Sequence, residues 1–210
     1  VVVSAAGLGG REQALAQALR RACPELTSIV LCINRSPGNV VLDGTFRTLW
    51  GTDCITEQLC GHCFELAPQA FFQINPPQAE RLYEKAVEYA APQPGDTVLD
   101  LYCGAGSISL CLADTGCEVI GAEVVPEAVE NARKNAADNG MAHVRFLQGD
   151  AGEAAAELAR LGTRPAAVVV DPPRKGLSGQ VIDAIVQMQP ARVVYVSCDP
   201  GTLARDLRLF

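Results

Sequence analysis

A cysteine near the C-terminus of this 210-residue chain is the side chain best placed for nucleophilic chemistry. Cys198 stands two residues after the apolar run 193–196, and a helical pattern begins near Pro200. A thiol between the end of a strand and the first turn of a helix lies close to the positive end of the helix dipole, which favours the thiolate. The sequence therefore predicts a nucleophilic cysteine at the end of a strand.

An upstream turn with two glycines has the features of a nucleotide-binding loop. Gly104 and Gly106 follow a predicted strand, where they permit a tight turn and a close approach of the backbone to a ligand. Glu123 comes about 20 residues later, at the end of the next strand, where a carboxylate can bind ribose hydroxyls. Ser109 stands where a dinucleotide-binding sequence would have its third glycine, which disfavours a nicotinamide cofactor.

These residues are connected by a regular alternation of strands and helices. Nearly continuous apolar strands are typical of a parallel sheet covered on both faces. In such sheets ligands bind at the carboxyl ends of the strands. The pattern predicts an α/β fold with a doubly wound, Rossmann-like sheet. The predicted strands are 97–101, 117–122, 143–148, 166–170 and 192–197, and the predicted helices are 77–90, 105–113, 126–138, 151–160, 178–188 and one from 200 onward.

The first third of the chain predicts a smaller unit. A helical pattern over 11–23 is followed by a strand over 27–33 and by short β-like runs. We therefore expect a small α/β subdomain over residues 1–68 and the larger domain over 69–210. Turn signals lie at Ser36-Pro37-Gly38-Asn39 and at Asp43-Gly44.

Composition limits the class of protein. The formal net charge of −7 weighs against a nucleic-acid partner, because phosphate contacts need clustered Lys and Arg, unless a further basic domain supplies them. Nine cysteines, some within apolar runs, are typical of reduced thiols rather than of a disulfide scaffold. No apolar stretch has the length of a membrane span and no signal peptide is evident, so we expect a cytoplasmic protein.

Four segments resemble, in order and spacing, the motifs of a known enzyme family. They are similar to those of the RNA uracil-C5 methyltransferases, which make 5-methyluridine, and the resemblance covers nearly the whole chain. It implies the class I methyltransferase fold, S-adenosylmethionine as cofactor, and RNA as substrate, with 23S ribosomal RNA favoured over transfer RNA. No metal and no membrane partner are expected. The segments are Phe71-Phe72-Gln73-Ile74-Asn75, Asp100 to Gly106, Asp171 to Gly176 and Tyr195-Val196-Ser197-Cys198.

The resemblance also implies roles for individual residues. Cys198 is expected to add to C6 of uracil, which activates C5 for methylation. Arg174 or Lys175, beside a stiff Pro-Pro pair, is a cation suited to a phosphate contact. The cofactor is expected to contact Gln73, Tyr102, Gly104, Gly106, Ser107, Glu123, Asp150 and Asp171, and the uracil to contact Gln73, Asp171 and Arg174.

The chain departs from the family pattern in three respects. Asp199 follows the nucleophile where the family usually has Asn, which brings a negative charge next to the thiol. The general base of the family is a Glu downstream of the nucleophile, so we expect it, with the last strands of the sheet, beyond Phe210. The RNA-binding β-barrel common in the family is expected before Val1, so the chain is expected to be a piece of a longer protein.

Two other functions stay open. Cys60 and Cys63 have the spacing of a dithiol redox motif, or with Cys54 of a partial zinc site, but an extended segment and a proline follow instead of a long helix. The chain could also be a non-catalytic RNA-binding or cofactor-sensing module that retains the fold. The presence of Cys198 favours the enzyme, because a binding module has no need of an activated thiol.

Overall fold

The computed structural model describes residues 1–38, 41–42, 44–141 and 143–210. Its first elements are β1 (Val2–Ser4), α1 (Glu12–Ala22), β2 (Ser28–Ile33), β3 (Thr45–Gly51), β4 (Ile55–Leu59) and β5 (His62–Leu66). Strand β2 is the centre of a three-stranded sheet, parallel to β1 and antiparallel to β3. Strands β4 and β5 form a separate antiparallel hairpin. The turn signals at Asn39 and Asp43 lie outside the described residues.

The remaining elements alternate as the apolar pattern predicts. They are α2 (Pro76–Ala90), β6 (Thr97–Leu101), α3 (Ser107–Ala113), β7 (Glu118–Glu123), α4 (Pro126–Asp138), β8 (Arg145–Gln148), α5 (Ala151–Arg160), β9 (Ala167–Val170), α6 (Gly179–Met188), β10 (Arg192–Tyr195) and α7 (Pro200–Asp206). The five strands form one parallel sheet in the order β10-β9-β6-β7-β8. The chain moves outward from β6 to β8 and then returns to β9 on the other side of β6. The prediction of a doubly wound, Rossmann-like sheet is confirmed.

Alternate residues of the strands belong to different cores on the two faces of the sheet. Val98 and Val169 pack in the core that includes helices α2, α3 and α4. Leu99 and Val168 pack in the core formed with α5 and α6. Phe64 of the hairpin is completely buried in the first of these cores, so the hairpin packs against the larger unit. The division of the chain at residue 68 stays a prediction.

Helix α3 and strand β10 are each shorter than the sequence predicts at the end that lies near the carboxyl edge of the sheet, and each has a local reason. Helix α3 begins at Ser107 rather than at 105, because Gly106 has a φ of 86° and cannot be part of a right-handed helix. Strand β10 ends at Tyr195 rather than at 197. There the Ser197 hydroxyl donates to the Asp199 carbonyl at 2.9 Å and accepts from its amide at 3.1 Å, which turns the chain.

No helix in the described part of the chain is both long and apolar enough to cross a membrane. The cytoplasmic location stays a prediction.

Candidate active site

The carboxyl ends of the five parallel strands meet at one edge of the sheet, where most of the predicted site residues lie. Neighbouring strands β10, β9 and β6 are followed by Cys198, by Asp171 and by the loop 102–106. Strand β7 ends at Glu123, and Asp150 stands two residues after the end of β8. This edge contains the switch point between β6 and β9, the position at which open α/β sheets bind ligands.

The loop after β6, residues 102–106, is called the cofactor loop below. Tyr102, Gly104 and Gly106 in this loop have positive φ values of 72°, 55° and 86°. A Cβ atom on Gly106 would lie 3.1 Å from the ring of Phe146 and 3.3 Å from the Cβ of Ala132. Both the backbone conformation and the close packing therefore favour glycine at position 106.

Glu123 connects the cofactor loop to the end of β7. Its Oε2 atom accepts a hydrogen bond of 3.1 Å from the amide of Gly104, and its Oε1 atom accepts one of 2.9 Å from the amide of Val125. These two bonds fix the carboxylate at the strand end where the sequence predicts contacts with ribose hydroxyls.

Asp100 lies in β6 and is completely buried. Its Oδ2 atom accepts a hydrogen bond of 2.6 Å from the Ser109 hydroxyl, whereas its Oδ1 atom has no partner among the described residues. Burial raises the pKa of Asp100 to about 7; the Ser109 bond opposes this shift, and the charges of Asp171 and Glu123 add to it. Buried polar atoms are nearly always paired, so the free oxygen indicates a position for a donor on a bound molecule.

The other polar residues near this loop are partly occupied within the fold. Asp150 is the N-cap of α5, and its Oδ1 atom accepts a 2.8 Å hydrogen bond from the amide of Gly152. Burial raises the pKa of Tyr102 to about 12, and the charge of Asp150 contributes to that shift. The Ser107 hydroxyl donates to the buried Tyr83 hydroxyl at 3.1 Å. Ser107 is therefore oriented by α2.

Asp171 begins the loop after β9 and is half-buried. Burial raises the pKa of Asp171 to about 6. Pro172 is buried, which anchors the start of the loop, and Arg174 is exposed, which gives the loop a positive charge at its outer end. Asp171 therefore places a half-buried carboxyl group beside the switch point.

Helix α7 joins the loop after β9 to strand β10. Asp206, completely buried near the end of this helix, accepts hydrogen bonds from the amide of Leu177 at 2.8 Å and from the hydroxyl of Tyr195 at 2.7 Å. The guanidinium of Arg205 donates to Asp206 at 2.6 and 2.8 Å and to the carbonyl of Lys175 at 2.8 Å. The two loops that carry Asp171 and Cys198 are therefore fastened to the same helix.

The close approach of α7 requires glycine at position 176. This residue has a φ of 77°, and a Cβ atom there would lie 2.3 Å from the Oδ2 atom of Asp206. Burial alone would raise the pKa of Asp206, but the hydrogen bonds from Leu177, Tyr195 and Arg205 outweigh it, and the pKa lies below its ordinary value.

Cys198 is exposed between β10 and α7. The adjacent Asp199 is the N-cap of α7, and its Oδ1 atom accepts a hydrogen bond of 2.9 Å from the amide of Thr202. That bond lowers the pKa of Asp199. Since Asn and Asp are about equally good N-caps, the helix geometry accounts for the departure from the family pattern at this position.

Gln73 has different surroundings from the residues above. It is half-buried and lines a cleft of about 500 Å³ together with Val30, Ile55 and Pro68, beside the N-terminal sheet and the hairpin. The carbonyl of Phe71, two residues earlier, lies 3.7 Å from the position of a Cβ on Gly104. The segment that contains Gln73 therefore lies next to the cofactor loop, but Gln73 itself lines the cleft.

Sequence reasoning missed several residues that hold this edge together. Asp206 had a signal, because a carboxylate in the last turn of a helix opposes the helix dipole and needs a tertiary partner. Asn135, described below, also had one, since Asn recurs every four residues on α4. Tyr83 had none, because it stands among the apolar residues of α2. Within the described residues, no three His, Cys, Asp or Glu side chains are grouped to hold a metal ion.

The sheet order and the cofactor loop define the fold of the class I S-adenosylmethionine-dependent methyltransferases. A methyltransferase of this kind from Agrobacterium tumefaciens has the same fold, with a TM-score of 0.64 over 90% of this chain and 66% of its own, at 18% identity. A family model described as tRNA (Uracil-5-)-methyltransferase matches residues 47–210. The chain belongs to this family, which confirms the resemblance seen in its motifs.

Two known proteins are similar over most of the chain. An uncharacterized RNA methyltransferase of Oceanobacillus iheyensis is 47% identical over 89% of this chain and 40% of its own length. The chain thus spans about two fifths of this curated relative. The tRNA (uracil-54, C5)-methyltransferase of Pyrococcus abyssi, solved in complex with S-adenosyl-L-homocysteine, is 32% identical, with a TM-score of 0.75 over 91% of this chain and 46% of its own.

Proposed function

We propose that this chain contains the catalytic region of an S-adenosylmethionine-dependent methyltransferase that acts on C5 of uridine in RNA. One observation carries the proposal: helix α7 fastens the loop of Asp171 to the strand end that carries Cys198. Strand β9, which leads to Asp171, is also the neighbour of β6 and its cofactor loop. A nucleophile, a carboxyl group for base recognition and a cofactor loop therefore belong to three adjacent strands.

The cofactor would be held by the residues at the ends of β6, β7 and β8. The free Oδ1 atom of buried Asp100, the fixed carboxylate of Glu123 and the close approach allowed by Gly104 and Gly106 fit a polar adenosyl and amino-acid ligand. S-adenosylmethionine supplies an activated methyl group. Tyr102, Ser107, Asp150 and Asp171 are proposed as further contacts, and Gln73 through its segment.

Cys198 is proposed as the nucleophile that activates the base. Its thiolate sulfur forms a bond to C6 of uracil, and the electron pair of the C5–C6 double bond moves towards C5 and O4. After C5 has been methylated, a base removes the C5 proton, the C5–C6 double bond forms again, and the sulfur–C6 bond breaks to return the thiolate. Because Cys198 is exposed, a uracil ring can reach its sulfur.

Asp171 and Arg174 are proposed to select and hold the nucleotide. The N3–H group of uracil can donate to the carboxylate of Asp171, whereas N3 of cytosine carries no proton. The exposed Arg174 is proposed to contact a phosphate next to the target. The base must leave its stack, because C6 is not accessible within a helix. Residues 1–68 are proposed as a subdomain that contacts the target and residues 69–210 as the catalytic domain.

The preferred substrate is 23S ribosomal RNA, with transfer RNA as the alternative. The experiment is to incubate the chain with methyl-labelled S-adenosylmethionine and, separately, with unmodified 23S ribosomal RNA and unmodified transfer RNA, followed by nucleoside analysis. We expect label on one of the RNAs, either in 5-methyluridine or in a covalent protein–RNA adduct seen on a denaturing gel, and its loss with Cys198→Ala. Cys63→Ala is the matched control, because it removes an exposed thiol from the hairpin.

The possible results separate the functions. Label in only one RNA would decide between the two substrates. Retention of RNA without transfer of label would favour a non-catalytic binding module. Label in 5-methyluridine that persists in Cys198→Ala would contradict the proposed nucleophile.

A further inference from the structure

Helix α4 and its C-cap residue present three asparagines, at intervals of four residues, to strand β5 and the residue after it. Asn131 accepts a hydrogen bond of 2.9 Å from the amide of Ala67. Asn139 accepts one of 3.1 Å from the amide of Cys63 and donates one of 2.8 Å to its carbonyl. The asparagines bond to the strand backbone as a neighbouring strand would, and they dock the hairpin on the larger unit.

Asn135, the middle member of this row, also contacts the cofactor loop. Its side chain is completely buried, and its Oδ1 atom accepts a hydrogen bond of 2.7 Å from the amide of Glu65. Its Nδ2 atom donates to the carbonyl of Glu65 at 3.2 Å and to the carbonyl of Ala105 at 3.1 Å. One side chain amide therefore joins the hairpin to the centre of the cofactor loop.

Loss of the bond to Ala105 would leave a buried carbonyl unpaired in a loop whose glycines allow the backbone to change conformation. Ala105 is buried, and it lies between Gly104 and Gly106, which both have positive φ. The amide of Gly104, in the same loop, is the donor to Glu123, so a rearrangement of the loop would also disturb that bond. A buried carbonyl that loses its donor is destabilised, which favours such a rearrangement.

We propose that Asn135 is a positioning residue for the cofactor loop, which couples docking of the hairpin to binding of S-adenosylmethionine. This inference rests on the proposed function, since it assumes that the loop holds that cofactor. The coupling is reciprocal, so a ligand that orders the loop also stabilises the docked hairpin. Asn131 and Asn139 dock the same hairpin without a bond to the loop.

The test compares Asn135→Ala with Asn139→Ala. S-adenosylhomocysteine is the probe; its affinity is measured by calorimetry, and thermal unfolding is measured on the same samples. Both variants should be less stable than the wild type, because both lose hydrogen bonds to the hairpin. We expect about ten-fold weaker binding in Asn135→Ala, and binding within about two-fold of the wild type in Asn139→Ala.

Hydrogen exchange gives an independent measurement. With saturating S-adenosylhomocysteine, exchange of the Glu65 amide should slow in the wild type and in Asn139→Ala, and should not change in Asn135→Ala. The serine variant, Asn135→Ser, replaces Asn135→Ala in both experiments if the alanine variant does not fold, because it retains a small polar group.

The outcomes distinguish this inference from the proposed function. Equal affinities of the Asn135 and Asn139 variants, with equal ligand effects on exchange at Glu65, would overturn the positioning role. A folded wild-type chain that does not bind S-adenosylhomocysteine would overturn the proposed cofactor, and the inference with it.

Discussion

Asp100 and Asp206 are both completely buried near the carboxyl ends of the parallel strands, but they differ in how many hydrogen-bond donors the fold supplies to them. Asp206, at the end of α7, accepts hydrogen bonds from Leu177, Tyr195 and Arg205. These bonds outweigh the effect of burial and lower its pKa. Asp100, beside the cofactor loop, has one bond from within the described residues and one free oxygen. Burial raises the pKa of Asp100 to about 7.

The difference indicates what each carboxylate does. The partners of Asp206 all come from the fold, so we assign it to holding α7 against the neighbouring loop. Asp100 carries an uncompensated cost of burial, and such a cost is typical of groups that act on a ligand. The hydrogen bonds of Asp206 are therefore supplied by the fold, whereas Asp100 has one oxygen free to accept a hydrogen bond from a donor outside the chain.

The largest expected effect is that of Asp206→Ala. It removes the carboxylate that accepts hydrogen bonds from three residues, Leu177, Tyr195 and Arg205. We expect a loss of about 3 kcal/mol in the free energy of unfolding. The affinity for S-adenosylhomocysteine should stay within about two-fold of the wild type, since Asp206 is not part of the cofactor loop. Urea unfolding and calorimetry check both statements. Asp183→Ala, an exposed carboxylate on α6, is the control and should change neither quantity. Weaker binding with unchanged stability would contradict the assigned role.

Asp100→Asn should have the opposite signature. Because the folded pKa of Asp100 is raised from 3.8 to about 7, its contribution to stability is complete below the lower value and is lost as the pH rises through the higher one. The difference in unfolding free energy between Asp100→Asn and the wild type should grow by about 2 kcal/mol, in favour of the variant, between about pH 5 and pH 7. Above pH 7, where the wild-type carboxylate is ionised, the affinity for S-adenosylhomocysteine should fall about ten-fold, because the charged acceptor is replaced by a neutral amide oxygen.

The sign is reversed for Asp206. Its pKa is lowered in the fold, so its contribution is present above its ordinary pKa and is lost as the pH falls through the lowered value. As the pH rises, urea unfolding should therefore show the deficit of Asp206→Ala growing only up to about pH 3.8 and staying constant above it, whereas Asp100→Asn gains on the wild type between about pH 5 and pH 7. Curves that diverge in the same direction would contradict the comparison of the two carboxylates.

The smallest effect is expected for Asp199→Asn. Both residues cap a helix with a side chain oxygen, so the free energy of unfolding should stay within about 0.5 kcal/mol of the wild type. Asp199→Ala should cost about 1 kcal/mol, because the amide of Thr202 loses its acceptor. Thermal unfolding of the two variants checks this difference. An asparagine variant as unstable as the alanine variant would show that the charge, rather than the cap, matters at this position.

The sequence was sufficient to predict the sheet and the edge at which the site residues lie. Apolar strands such as 97–101 and 166–170 have no alternative to burial, and turns with positive φ need residues such as Gly104 and Gly106. The connections between loops were not predictable in this way. The bonds from Tyr195 to Asp206 and from Asn135 to Ala105 link residues that meet only after the sheet has formed. Neither polar pair leaves a periodic pattern that fixes its partner.

The sequence predicts a role in ligand binding for some residues whose side chains already form hydrogen bonds within the fold. Asp150 caps α5, and Glu123 bonds to the amides of Gly104 and Val125. Position after a strand predicts that such a carboxylate lies at the edge, but it does not predict how many of its oxygens are engaged by backbone amides. Their roles in binding therefore stay proposals.

The most direct test of the central claim is to trap the covalent bond between Cys198 and the base. The chain is incubated with S-adenosylmethionine and with RNA in which uridine is replaced by 5-fluorouridine, since fluorine at C5 cannot be removed as a proton. We predict, by mass spectrometry of the digested complex, a methylated 5-fluorouridine nucleotide on the peptide of Cys198, unchanged in Cys63→Ala and absent in Cys198→Ala. An adduct on another residue, or 5-methyluridine formed from ordinary RNA by Cys198→Ala, would contradict the account.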